Sequence, residues 1–271
     1  MKTTTTNYGS VLGIVTSIGV LATEVNAATI GFWRFEEGIT GNTASGVGSI
    51  LDSESTNNGS PSGNPVYSSD VPVSSILQNG LSNSNSLDLD GSGDTVLIST
   101  NASALDGLGA FTVEFWMRSS DTSSGQHLLV DKSHGFVDIT GWFFQSDPGN
   151  GVISFGLGNG TSFPLVTSSD DLFDDTWHHL AGTYDGSNTI EFFVDGVSQG
   201  TTAAGAFANN TRDIRIGSAS NNGRFFTGNI DELRISDSVL VPSQFLNVPE
   251  PSSVFLFGLG GLSLLIRKRN R

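Results

Sequence analysis

The chain has 271 residues, a formal charge of −15, 34 glycines and no cysteine, which excludes disulfides, thiolate metal sites and cysteine nucleophiles together. Five of its basic residues, Lys2, Arg267, Lys268, Arg269 and Arg271, lie in the terminal segments, leaving seven basic side chains against 25 acidic ones between residues 28 and 246. A middle region near −18 excludes nucleic acid as a partner, because phosphate backbones need a basic footprint.

Met1 and Lys2 open a polar, threonine-rich stretch that leads to apolar Val11 to Leu21 and then Val25-Asn26-Ala27. A charged start, an apolar run of about 7–15 residues and small side chains before the cut are what signal peptidase accepts. Residues 1–27 are therefore expected to form a helical signal peptide cleaved after Ala27. A buried N-terminal helix is the alternative, weakened by Gly13 and Gly19.

From Thr29 to Leu246 apolar residues alternate, the signature of strands. Phe111, Val113, Phe115 and Met117 share one face, with Thr112, Glu114 and Arg118 opposite. Ile190, Phe192 and Val194 alternate in the same way with Glu191 and Asp195. Asp90-Gly91, Asn150-Gly151, Asn159-Gly160, Asp185-Gly186, Asp195-Gly196 and Asn222-Gly223 mark tight turns. The expectation is an all-β, antiparallel β-sandwich with its core supplied by eighteen phenylalanines and four tryptophans. Residues 41–85 read as long loops with short edge strands, and Gln244-Phe245-Leu246 as one helical turn.

After Val248-Pro249-Glu250-Pro251-Ser252-Ser253 comes apolar Val254 to Ile266, then Arg267-Lys268-Arg269-Asn270-Arg271. The apolar run is shorter than the roughly 20 residues a bilayer usually needs, yet the basic cluster marks a cytoplasmic end, giving transient inner-membrane anchoring. This tail resembles the PEP-CTERM sorting signal of Gram-negative bacteria. The resemblance implies processing by an exosortase, with Pro249, Glu250 and Pro251 as the sorting motif; a plain membrane anchor is the alternative. The division expected is a signal peptide at 1–27, one domain at 28–246 and a sorting tail at 247–271 with a short hydrophobic helix at 254–266.

Several blocks of the middle fall in a familiar order: Ile30-Gly31-Phe32-Trp33-Arg34-Phe35-Glu36, Ser86-Leu87-Asp88-Leu89-Asp90-Gly91, and Phe111 to Arg118 with its Trp116. Trp177-His178-His179-Leu180-Ala181-Gly182-Thr183-Tyr184-Asp185-Gly186 follows, then Phe192-Phe193-Val194-Asp195-Gly196, Ile216-Gly217 and Phe226 to Ile235. The region resembles laminin-G-like, concanavalin A-like lectin/glucanase domains. That resemblance implies a jelly roll of two sheets, a fold hosting many functions.

Asp231 shares the parity of Leu233 and Ile235 and so points toward the core in a regular strand, where a carboxylate needs a partner. A cation is one solution; a β-bulge at Asn229-Ile230 that turns Asp231 away is the other. The resemblance implies one structural Ca²⁺, with Glu36, Asp52 and Asp231 as its acidic ligands. Asp88 to Asp94 lacks EF-hand spacing and reads as strand-turn-strand.

His178 and His179 are consecutive, face opposite ways in a strand and cannot clamp a metal together. His127 and His134 stand apart, and no catalytic role is assigned to any histidine. The glucanase branch places its carboxylates as Glu-x-Asp-x-x-Glu or Glu-x-Asp-x-Glu, and neither pattern occurs; Asp170-Asp171 and Asp174-Asp175 read as a solvated turn. Consecutive aromatics at Trp142-Phe143-Phe144 and Phe225-Phe226 put at least one ring outside the core. From these, Trp142, Phe144 and Phe225 are the candidate sugar-stacking residues. The function expected is a non-catalytic, exported recognition domain for extracellular polysaccharide or glycoprotein. A structural matrix protein without a discrete ligand, and a degenerate polysaccharide hydrolase or lyase, are the alternatives.

Overall fold

The computed structural model describes residues 27–246 apart from 77, 79, 101, 102, 122, 124, 134–136 and 222. Residues 1–26 of the expected signal peptide, the motif Pro249, Glu250 and Pro251, the apolar segment 254–266, His134 and Asn222 lie outside the described residues.

Two antiparallel sheets face each other. Sheet A holds β1 (Thr29–Trp33), β3 (Val66–Ser68), β4 (Ser86–Asp90), β6 (Phe111–Arg118), β11 (His178–Tyr184), β12 (Thr189–Val194), β13 (Val197–Ala203) and β15 (Thr227–Ser236). Sheet B holds β2 (Gly59–Ser62), β5 (Thr95–Ile98), β7 (Leu128–Asp131), β8 (Trp142–Ser146), β9 (Ile153–Leu157), β10 (Leu165–Thr167) and β14 (Ile214–Ile216). The strand order is β13-β12-β11-β6-β15-β4-β3 in A, with β1 also paired to β15, and β10-β9-β8-β7-β14-β5-β2 in B. Among the described residues, 41–85 contribute the short strands β2 and β3, as their weak apolar periodicity predicts.

The alternation in sequence builds the core between the sheets. Phe111, Val113, Phe115 and Met117 of β6 and Ile190, Phe192 and Val194 of β12 belong to one buried cluster with Trp142, Phe144 and Phe155 of sheet B. Phe115 meets Phe144 edge to face at 5.0 Å, a favoured aromatic geometry. Gly182 on β11 lets the sheets close: a Cβ there would stand 2.6 Å from the Phe155 ring. At the β12–β13 turn Asp195 and Gly196 both take positive φ, 50° and 75°, as a two-residue hairpin requires.

The outer face of sheet A is also covered. Phe245 and Leu240 pack on Ala181 and Phe193, while Leu246 packs with Phe32 and Ile76. The buried Glu114 carboxylate gathers four donors: Arg234 Nε at 2.7 Å and Arg234 Nη2, His179 Nε2 at 2.9 Å, and the Leu246 amide at 2.9 Å. Burial alone would push this carboxyl's pKa up, but the Arg234 charge and the His179 hydrogen bond hold it below its usual range. The expected helical turn at 244–246 falls earlier, as a 3-10 turn at Pro242–Gln244. Phe245 is extended instead, because its ring is held against His179 and Phe193, with centroids at 5.5 and 5.2 Å.

The regular-strand parity of Asp231 does not hold. A register shift lies between Asp231 and Arg234, centred on Glu232 with φ +50°. Ile230 and Leu233 both enter the core, so the extra residue resets the alternation and Asp231 lies on the outer side beside Asn83. The bulge sits beyond Asp231, not at Asn229-Ile230 before it.

Candidate functional site

The outer face of sheet B carries a recess of about 600 Å³. Its floor is a row of residues in register across five strands: Leu165 opposite Gly156, Gly156 opposite Phe143, Phe143 opposite Asp131, and Asp131 opposite Arg215. Such neighbours share one face of a sheet. Gly156 is decisive, because a Cβ there would stand 2.3 Å from the Phe143 ring; the missing side chain lets that ring lie on the backbone of β9. Phe163 meets Phe143 edge to face at 5.3 Å and forms a wall. Gln126, Gln145, Thr161, Ser162 and Asn221 supply hydrogen-bonding groups around these rings. Exposed Val137 and Leu165 also line the recess, and clustered exposed apolar side chains mark binding surfaces.

Two buried charges fix the surrounding loops. Asp131 accepts from the Ser133 amide at 2.7 Å and the Ser220 amide at 2.9 Å. Burial pushes its pKa up, partly offset by those hydrogen bonds and by the Arg215 charge. The next side chain, Lys132, is buried and donates to Asp106 Oδ1 at 2.7 Å and to the carbonyls of Asn210 and Arg212 at 3.2 and 2.6 Å. Burial pulls the ammonium down and Asp106 opposes that shift. Sequence order alone gives no sign of this clamp, since Lys132 and residues 210–212 are far apart along the chain.

Of the aromatics expected to meet ligand, Trp142 and Phe144 are instead core residues with no exposed surface. The pleat turns both inward and sends the intervening Phe143 outward. The signal was present in Gln145, which shares the parity of Phe143 and marks the polar face of β8. Phe225 is half-buried and does not line the recess; its carbonyl accepts from His127 Nδ1 at 2.5 Å. That bond leaves His127 Nε2 facing Ser123 Oγ at 2.9 Å, while the same hydroxyl lies 3.0 Å from Asp121 Oδ2. These contacts tie Asp121, Ser123 and His127 to Phe225 in the segment that follows β14. His178 holds Asp195 at 2.8 Å and Asp174 at 3.3 Å, and the Asp195 hydrogen bond leads the forces that raise its pKa.

The three expected calcium ligands do not share one place. Asp52 lies at the edge of β1, bridged to Trp33. Its oxygens accept from the amides of Phe32, Glu54 and Ser55 and from Ser55 Oγ, at 2.8–3.2 Å. Asp231 lies on β15, the strand at the other edge of β1. Glu36 accepts from the amides of Ser84 and Asn85 at 2.7 and 2.9 Å, and its charge reaches Asp231. Burial, the Glu232 charge and the Glu36 charge push Asp231 well above the usual carboxylate range. Asn83 donates to Asp231 at 2.7 Å, and its own buried Oδ1 has no hydrogen-bond partner among the described residues. Among the described residues no three His, Cys, Asp or Glu side chains converge as a metal cluster. The hard oxygens of Glu36, Asp231 and Asn83 do suit Ca²⁺ in kind. Ala27, at the expected cleavage point, is half-buried against Ala181, Phe193, Leu240 and Phe245.

Residues 90–244 match the sequence profile of the Concanavalin A-like lectin/glucanases superfamily, and residues 247–269 match the PEP-CTERM protein-sorting motif. No curated protein matches the chain. Domain 4 of AbnA, a GH43 extracellular arabinanase from Geobacillus stearothermophilus, solved in complex with arabinotriose, is similar in structure. Its TM-score is 0.57 at 16% identity, covering 80% of this chain and 96% of that one. The binding domain of botulinum neurotoxin DC in complex with SialylT has a TM-score of 0.57 at 14% identity, covering 79% of this chain and 49% of that one. The binding domain of Paraclostridial Mosquitocidal Protein 1 has a TM-score of 0.55 at 14% identity, covering 80% of this chain and 50% of that one. The chain thus spans about half the length of the toxin domains it matches, and the likeness is one of fold.

Proposed function

We propose that the chain, which belongs to the concanavalin A-like lectin/glucanase superfamily, is a non-catalytic carbohydrate-recognition domain displayed at the bacterial surface. The observation that carries this reading is the recess itself, floored by the Phe143 ring, which packs on Gly156 and keeps 6% of its surface exposed, with the half-buried Phe163 ring at its edge. The accessible part of the Phe163 ring and the apolar recess floor, flanked by amide and hydroxyl groups, suit the apolar face and hydroxyl rim of a sugar. The arabinotriose and SialylT complexes of structurally similar domains support the same class of ligand. Glycoside hydrolysis uses two positioned carboxylates; among the described residues lining the recess, Asp131 is the one acid, and two backbone amides occupy it. The sorting signal directs export and surface display, with an exosortase as the processing partner, a transient inner-membrane anchor, and extracellular polysaccharide or glycoprotein as the ligand.

A glycan array followed by calorimetry tests this. Phe163→Ala and Phe143→Ala should each weaken saccharide binding about 2- to 12-fold, since an aromatic contact contributes about 0.5–1.5 kcal/mol. A flat array would favour a structural matrix protein, and release of reducing or unsaturated ends from a polysaccharide would make the domain an enzyme. A structural Ca²⁺ forms part of the same proposal: Glu36, Asp231 and Asn83 Oδ1 would supply oxygen ligands, and the ion would neutralise the acidic side chains beside Asn83 to Asn85.

A further inference from the structure

Arg224 stands at the recess in a conformation that a non-glycine residue seldom adopts, with φ +55°. That geometry is held from both sides: the Leu128 amide donates to the Arg224 carbonyl at 3.0 Å, and His127 Nδ1 donates to the next carbonyl at 2.5 Å. A side chain kept at a position where glycine would relax the backbone is a mark of function. Its guanidinium is exposed and forms no hydrogen bond or ion pair among the described residues. The distribution of positive charge points the same way. Of the seven basic residues between 28 and 246, Arg34, Arg118, Lys132 and Arg234 do not line this recess or the polar one beside it. The other three line this recess and the polar recess that adjoins it through Arg212 and Ser220: Arg224 and Arg212 in the first, Arg212 and Arg215 in the second. Three aspartates, Asp131, Asp138 and Asp213, accompany them, so the charges balance here in a domain that elsewhere carries 22 acids against four bases.

We infer that the recess selects saccharides bearing an anionic group, a carboxylate or a sulfate, with the Arg224 guanidinium as the contact to that group. The inference rests on the carbohydrate reading above and adds the charge class of the ligand. Guanidinium is the fitting partner, because its planar fork meets carboxylate or sulfate oxygens in pairs.

The experiment compares oligogalacturonate, a sulfated galactan oligosaccharide and neutral galactan and arabinan oligosaccharides against the native protein, Arg224→Gly, Arg224→Lys and Phe143→Ala. One or both acidic probes should bind more tightly than the neutral ones and weaken as NaCl rises from about 50 to about 500 mM. Arg224→Gly should lower acidic-probe affinity about 10- to 100-fold, the usual weight of a charged hydrogen bond, while its melting temperature holds or rises because the strain is gone. Arg224→Lys should recover part of the affinity. Whichever acidic probe binds identifies the anion. Equal binding of neutral and acidic probes, all weakened in Phe143→Ala, would overturn the anionic class and leave the carbohydrate reading standing. Acidic-probe affinity unchanged in Arg224→Gly would remove Arg224 from the site. Binding of no saccharide would overturn both readings together.

Discussion

Replacing Glu114 by Gln tests how the C-terminal segment is fastened to sheet A. In the native domain four donors converge on two carboxylate oxygens, and Glu114 is fully buried. An amide keeps the shape but has one oxygen, so its NH2 must face either the Arg234 pair or the His179 and Leu246 pair. Charged hydrogen bonds contribute about 1.5–3 kcal/mol each, and removing one member of a buried ion pair costs about 3–5 kcal/mol. Arg234 keeps some access to water, with 13% of its side chain exposed, so the expected loss lies at the lower end, about 3 kcal/mol. Urea unfolding followed by tryptophan fluorescence measures it, with Trp116 packed edge-on against His179 at 5.2 Å as the local reporter. Exposed Glu54→Gln is the control and should stay within about 0.5 kcal/mol of native. If the two variants unfolded at the same midpoint, the clamp would not hold the segment and the reasoning would fail.

Three further outcomes follow from the same geometry. His178 has its pKa raised by Asp195 and Asp174, so its stabilisation is fully present below about pH 6.5 and is lost as pH rises through the folded value. The unfolding free energy should therefore fall by up to about 1 kcal/mol between mildly acidic and mildly alkaline pH, and His178→Gln should flatten that slope; a slope retained in the variant counts against the assignment. Dialysis against a chelator should lower the melting temperature, and calcium at about 100 times its dissociation constant should restore about 3 kcal/mol. A melting temperature indifferent to chelator removes the ion. Gly182→Ala places a methyl 2.6 Å from the Phe155 ring and should cost about 1–3 kcal/mol by overpacking, read as a lowered urea midpoint; a native-like midpoint would show that the sheets can separate there without cost.

The sequence by itself determined the sandwich, the core parity of Phe111 to Met117 and Ile190 to Val194, and the tail signal, because period-2 alternation and turn dipeptides are local properties of the chain. It also limited the outward aromatic of β8 to one side of the pleat. Tertiary structure decided which side, since Trp142 and Phe144 point inward only relative to a facing sheet. The bulge at Glu232 broke the parity that Asp231 would share with Leu233 and Ile235, because one inserted residue shifts every later side chain to the other face. Asp52 was separated from Glu36 and Asp231 by β1 itself, an arrangement set by strand pairing rather than by spacing. The recess depends on the same kind of fact. Asp131, Phe143 and Gly156 lie on three consecutive paired strands, and Arg215 joins their row only when β14, far along the chain, enters sheet B between β7 and β5, so hydrogen-bonded register to a distant segment completes the surface.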